Sequence, residues 1–197
     1  MLIHDVMKRD ISKLTSEVLK ENRVSLTKKD ITIRELNSEN LTIADFSYFE
    51  NEKQKNIQSH GHGFVDAVYK GLLDNYESEF KSLAQIRLRN FSIAVDLARN
   101  PSTASKSNVV IQFCINKNDI SFSDSSSSIV GSAYENLLSA FEFYINCEKC
   151  FLLLKSCVSE AKTRNRFDIV NSCSYKMSKL TKLVSYESLC RDNNEFQ

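Results

Sequence analysis

The sequence predicts an α+β chain in which a strand-strand-strand-helix order occurs twice, between an N-terminal amphipathic helix and a helical C-terminal stretch. Three observations predict it. Apolar residues fall at β spacing from Ile31 to Tyr48 and again from Ile86 to Phe122. Each β-rich run gives way to a helical period, and the two resulting helices share a pattern: Tyr69-Lys70-Gly71-Leu72-Leu73-Asp74-Asn75-Tyr76 and Tyr134-Glu135-Asn136-Leu137-Leu138-Ser139-Ala140-Phe141 both read aromatic, Leu-Leu, aromatic, 65 residues apart. Outside these runs the apolar spacing is helical at both ends.

Taken in order, Met7, Ile11, Leu14 and Val18 recur at intervals of four, three and four, which predicts an amphipathic helix from Asp5 to about Lys20. Arg23 to Asp30 is polar, breaks the period and reads as a linker. Ile31 and Ile33 begin a first strand, and Leu41 and Ile43 a second, with the turn-like Asn37-Ser38-Glu39-Asn40 between them. A turn at Glu50 to Lys53 leads to a polar third strand, Gln54 to His60, and then to a helix from Val65 to about Tyr76. In the second set, Ile86 to Val95 is the fourth strand, Val109 to Ile115 the fifth and Ile120 to Phe122 a short sixth. Asn116-Lys117-Asn118-Asp119 is a tight hairpin turn between the last two. The serine run Ser123 to Ser128 precedes a helix from Ile129 to about Tyr144. After Asn146 come a cysteine-bearing helix, a basic break at Lys162 to Arg166, and a last helix with Ile169, Val170, Cys173, Met177, Leu180 and Val184 on one stripe. The organisation is therefore residues 1–29 (helix and linker), 30–146 (the repeat) and 147–197 (a helical tail).

Composition bounds the function. At 197 residues and 42% hydrophobic content the chain buries one sizeable core. Lys+Arg 26 against Asp+Glu 25 leaves a net charge of +1, which argues against a nucleic-acid surface. No run reaches the roughly 18 apolar residues of a membrane span, and the N-terminus does not read as a signal peptide. The expectation is a cytoplasmic protein with no nucleic-acid and no membrane partner. Cys147 and Cys150 have no second close pair, and with Cys157 they lie on one stripe with Phe151, Leu154, Val158 and Ala161, so they read as small buried residues in a reducing compartment.

The stretch with the most local design is Ser59 to Lys70. Gly61 and Gly63 admit positive φ and close backbone approach, and Asp66 falls in the first turn of the following helix, where a carboxylate meets free N–H groups. Such a helix start suits a small anionic or zwitterionic group. His60-Gly61-His62 does not read as a metal site, because His4 is the only other histidine and a divalent ion wants three or four ligands. Ser126 to Ser128 read as capping rather than as nucleophiles, and there is no phosphate loop ending in Gly-Lys-Ser/Thr. No catalytic residue and no cofactor is expected.

The same stretch resembles the Gly-x-Gly-Pro-Val-Asp-Ala motif of the C-terminal regulatory, dimerisation domain of the 2-isopropylmalate synthase and citramalate synthase family. Gly61, Gly63, Val65, Asp66 and Ala67 match, and Phe64 stands where the family has proline. The resemblance covers roughly residues 30 to 146 and implies two βββα units related by a pseudo-twofold. The family's second unit ends Gly-x-Ser-x-Asp-Ile; here Ile129 matches and Ser128 replaces the aspartate, while the loop Arg99 to Lys106 lacks the family's Gly-x-Asp-Ala.

What the resemblance implies is a non-catalytic homodimer in leucine biosynthesis that senses a branched-chain amino acid, alone or beside a separate synthase subunit. Gly61, His62, Gly63, Val65, Asp66 and Ala67 would line one half of the effector pocket, and Ser128 and Ile129 the other. The ligand carboxylate would meet free N–H groups at Gly63 to Val65 and near Ser128, Asp66 would face its ammonium, and its apolar tail would lie on Val65, Val68 and Ile129. The isolated chain would lack synthase activity, since the catalytic barrel alone needs about 250 residues. The alternative is a scaffolding protein with a decayed pocket that holds a partner through its helical tail.

Overall fold

The computed structural model describes residues 3–95 and 105–184. Arg99 to Ala104 of the loop, and Cys190 with the rest of the tail beyond Val184, lie outside the described residues. The elements are α1 (Ile3–Leu19), β1 (Leu26–Leu36), β2 (Leu41–Glu50), β3 (Lys53–Gly61), α2 (Phe64–Tyr76), β4 (Arg87–Val95), β5 (Ser107–Ile115), β6 (Asn118–Ser126), α3 (Ile129–Thr163) and α4 (Phe167–Leu180). The fold is α+β, with two three-stranded antiparallel sheets ordered β1-β2-β3 and β4-β5-β6.

Local chemistry explains the hairpins. Asn51-Glu52 and Asn116-Lys117 are two-residue loops with positive φ at both positions (45° and 73°, 49° and 64°), the twist that matches flanking strands and that Asn tolerates best. Each first strand carries one irregularity of register, between Lys28 and Asp30 opposite Tyr48 and Ser47, and between Leu88 and Asn90 opposite Phe113 and Gln112. Both the turns and the paired residues Tyr48 and Phe113 are 65 residues apart.

The helices α2 and α3 lie between the sheets. From α2, Ser59 Oγ donates to Ala67 O on one side, while Tyr69 stacks on Phe113 and Phe64 meets Phe91 edge-on on the other. From α3, Tyr134 packs on Phe46 and donates to Ser47 O, and Asn136 Nδ2 donates to Val109 O of the other sheet. Along the first sheet α2 runs from Thr42 to Glu50, and α3 runs from Phe46 to Leu26, which pairs with Glu50, so both helices travel in the same sense. Phe141 touches Tyr69 and Tyr76, which joins them.

Several element bounds differ from the sequence expectation. β1 begins at Leu26, inside the stretch read as a linker: its residues are exposed except Leu26, so pairing with β2 and not apolar alternation makes it a strand. β6 extends through Ser126 because the serines pair with Ser107 and Asn108. The helix predicted to end near Tyr144 continues to Thr163, and α4 packs back along it. That continuation buries Cys147, Cys150, Phe151 and Leu154. Burial pushes both thiols up, Cys150 to about 12, which leaves them protonated packing groups. Among the described residues no helix is long and apolar enough to cross a membrane.

Glu148, 1% exposed, accepts the N–H groups of Lys81 (3.1 Å) and Ser82 (2.9 Å) at the start of a short 3-10 turn. Burial pushes its carboxyl up against the pull of those donors. Glu148→Ala leaves the two N–H groups without this acceptor and should cost about 1–3 kcal/mol. Urea denaturation is the measurement, with Glu148→Gln expected to lose less because an amide oxygen remains.

Candidate functional site

The turn from β3 into α2 is built by close backbone contact. A Cβ on Gly61 would come 2.6 Å from Ala67 N and 2.6 Å from Asp66 Oδ2, so only glycine lets the strand end against the helix. Gly63 is the residue before the helix, at φ 97° and ψ 159°, a region that is essentially glycine-only. Space around it is open, so its requirement is backbone conformation alone.

Polar side chains then close much of the turn. Gly63 N donates to Thr42 Oγ1 at 3.1 Å, and His62 N donates to Asp66 Oδ2 at 2.8 Å. His62 Nδ1 lies 3.1 Å from Asn40 O; a carbonyl only accepts, so Nδ1 carries the proton. Lys70 Nζ donates to Asp66 Oδ2 at 2.7 Å. Burial works to raise the Asp66 carboxyl, but the hydrogen bonds from Lys70 and His62 outweigh it and hold it below its ordinary range. Beside Gly63 a cleft of about 280 Å³ is bordered by Glu35, Asn37, Asn40, Thr42 and His62.

The predicted residues divide into two groups. Gly61, His62, Gly63 and Asp66 form this turn. Val65 and Ala67 point into the core, as does Val68, at 9%, 0% and 0% exposure. The N–H of Gly63, expected to be free, is taken by Thr42. Asp66 is engaged by its own helix, because its short side chain in the first turn reaches back to the N–H of His62. Ser128 caps α3 by accepting Gly131 N at 3.0 Å, within a local network with Ser126 and Ser132; Ile129 follows it, more than a third exposed. The two helix starts open at the same end of the molecule, since α2 and α3 run in the same sense, and each is closed by its own contacts.

Thr42 and Asn40 carry no signal in the sequence as site residues; the pairing of Thr42 with Gly61 brings them there. Among the described residues no group of three or more His, Cys, Asp or Glu is placed to hold a metal ion.

Fold and site together define an α+β protein whose glycine-built helix start adjoins a small polar cleft. No protein-family model matches this chain, and no curated protein matches it either.

Gly63→Ala adds no clash but forces a side chain into a glycine-only conformation, so it should cost about 1–3 kcal/mol. Thermal denaturation checks this, with a loss near zero as the contrary result.

Proposed function

We propose that this chain is a non-catalytic regulatory and dimerisation module built like the leucine- or isoleucine-sensing domain of 2-isopropylmalate and citramalate synthases. The observation that carries this reading is the constant spacing of corresponding features. The hairpin turns at Asn51 and Asn116, the helix starts Phe64 and Ile129, the aromatics Tyr69 and Tyr134, and the irregularities opposite Tyr48 and Phe113 all recur at 65 residues. A fixed offset through strands, turns and helices supports two βββα units related by a pseudo-twofold. The glycine turn with Asp66, and the Ser128 and Ile129 turn, are then the two equivalent places for an effector.

The scaffold reading keeps one specific support: Thr42 takes the Gly63 N–H and Lys70 takes the Asp66 charge, which leaves less for a zwitterion to bind. A ligand that binds only the folded state stabilises by about 2.7 kcal/mol at one hundred times its dissociation constant. The expected outcome is a rise in melting temperature with leucine or isoleucine at millimolar concentration, and none with lysine. No rise with any branched-chain amino acid leaves the scaffold reading in its place.

Dimerisation has support in β4. Leu88, Ile93 and Val95 pair with Phe113, Val109 and Ser107, so they face the helix side of the sheet, yet they remain 39%, 43% and 45% exposed. An apolar row on an edge strand is the kind of surface a second copy covers. Light scattering should return twice 22.5 kDa at micromolar concentration, and Ile93→Lys should return the monomer.

A further inference from the structure

The helix α1 sits on α3 and β6 through Ile11 and Leu14, which are buried. The neighbouring stripe of the same helix is polar: Lys8, Ser12 and Thr15 are spaced four and three apart and so share one face. Across from it α3 presents Ser139, Glu142 and Asn146, again at spacings of three and four. Helices that meet only to bury surface close their seam with apolar side chains. Here the seam holds a crevice of about 210 Å³ between the two polar stripes, with Arg23 and Phe122 at its margin.

The acceptors in its wall are engaged. Glu142 Oε1 pairs with Arg23 at 2.9 Å, and Oε2 accepts Leu26 N at 2.9 Å. Asn146 accepts Val24 N and donates to Val24 O. Lys8 Nζ donates to Ser121 O at 2.9 Å and stands 3.8 Å from the centre of the Phe122 ring, which fixes the ammonium at the crevice. Lys8 and Arg23 against Glu142 leave the wall one positive charge in excess, with the hydroxyls of Ser12 and Ser139 beside it.

We propose that this crevice is a binding site for a small anion of the phosphate or carboxylate class. Lys8 supplies the charge, Arg23 contributes further guanidinium N–H donors, and Ser12 and Ser139 donate from opposite walls. A small anion there spans α1 and α3 and makes the docking of α1 depend on the ligand. The site is separate from the α2 turn and independent of the effector reading.

Thermal-shift and isothermal titration with sodium phosphate and with sodium succinate, against sodium chloride at matched ionic strength, test it. The expected result is saturable binding of at least one probe, and which of the two binds identifies phosphate or carboxylate as the ligand class. Lys8→Met should weaken that binding at least tenfold. Ser139→Val, which fills the crevice without touching the charge, should do the same; circular dichroism of both variants without ligand reports whether the helices are retained. No saturable effect beyond chloride with either probe overturns the proposal. So does binding of unchanged affinity in a folded Lys8→Met or Ser139→Val variant.

Discussion

The molecule depends on the need to satisfy every polar group buried beside α3. A buried backbone N–H or C=O without a partner costs about as much as a lost hydrogen bond or more, and α3 answers that need along its length. Tyr134 donates to Ser47 O, Asn136 to Val109 O, Glu142 accepts Leu26 N, Asn146 takes both backbone groups of Val24, and Glu148 takes the N–H groups of Lys81 and Ser82. These partners lie in both sheets and in two connections, so one helix fixes the places of four other segments.

Apolar burial supplies the driving force for that arrangement. Ala133, Leu137, Leu138, Phe141 and Ile145 are fully or almost fully buried, each large one worth about 1.5–3 kcal/mol against exposure. Burial alone is indifferent to rotation about the helix axis. The side-chain to backbone hydrogen bonds are directional, so they select the orientation in which Tyr134 and Asn136 reach opposite sheets.

The α2 start follows the same economy of polar groups at a more exposed place. Gly61 and Gly63 let the chain turn with its backbone almost in contact with the helix, and the N–H groups exposed by the turn are met by Thr42 and Asp66. What remains open is the cleft beside Gly63, where polar groups from the β1–β2 turn and from His62 converge. A conformation that only glycine adopts, held beside a small cleft, is the arrangement expected where a ligand meets main chain.

The sequence by itself determined the succession of strands and helices, because alternation and helical periodicity are local properties of Ile31, Ile33, Tyr69 or Leu137 and their near neighbours. It also determined the glycine turn, since positive φ at Gly63 is a demand on one residue. Only the tertiary structure decided that Lys28 and Lys29 lie in or beside an edge strand, that Ser123 to Ser126 extend β6, and that α3 runs unbroken to Thr163. In each case the deciding partner is distant in sequence: β2 for β1, Ser107 and Asn108 for the serines, α4 for the end of α3. The site divides in the same way. Gly61, Gly63 and Asp66 are legible because their roles are local, whereas Thr42 and Asn40 enter through the register of β2 on β3, and Val65 and Ala67 turn inward because two sheets enclose α2. The crevice between Lys8 and Ser139 joins residues more than a hundred positions apart, a proximity that no local pattern encodes.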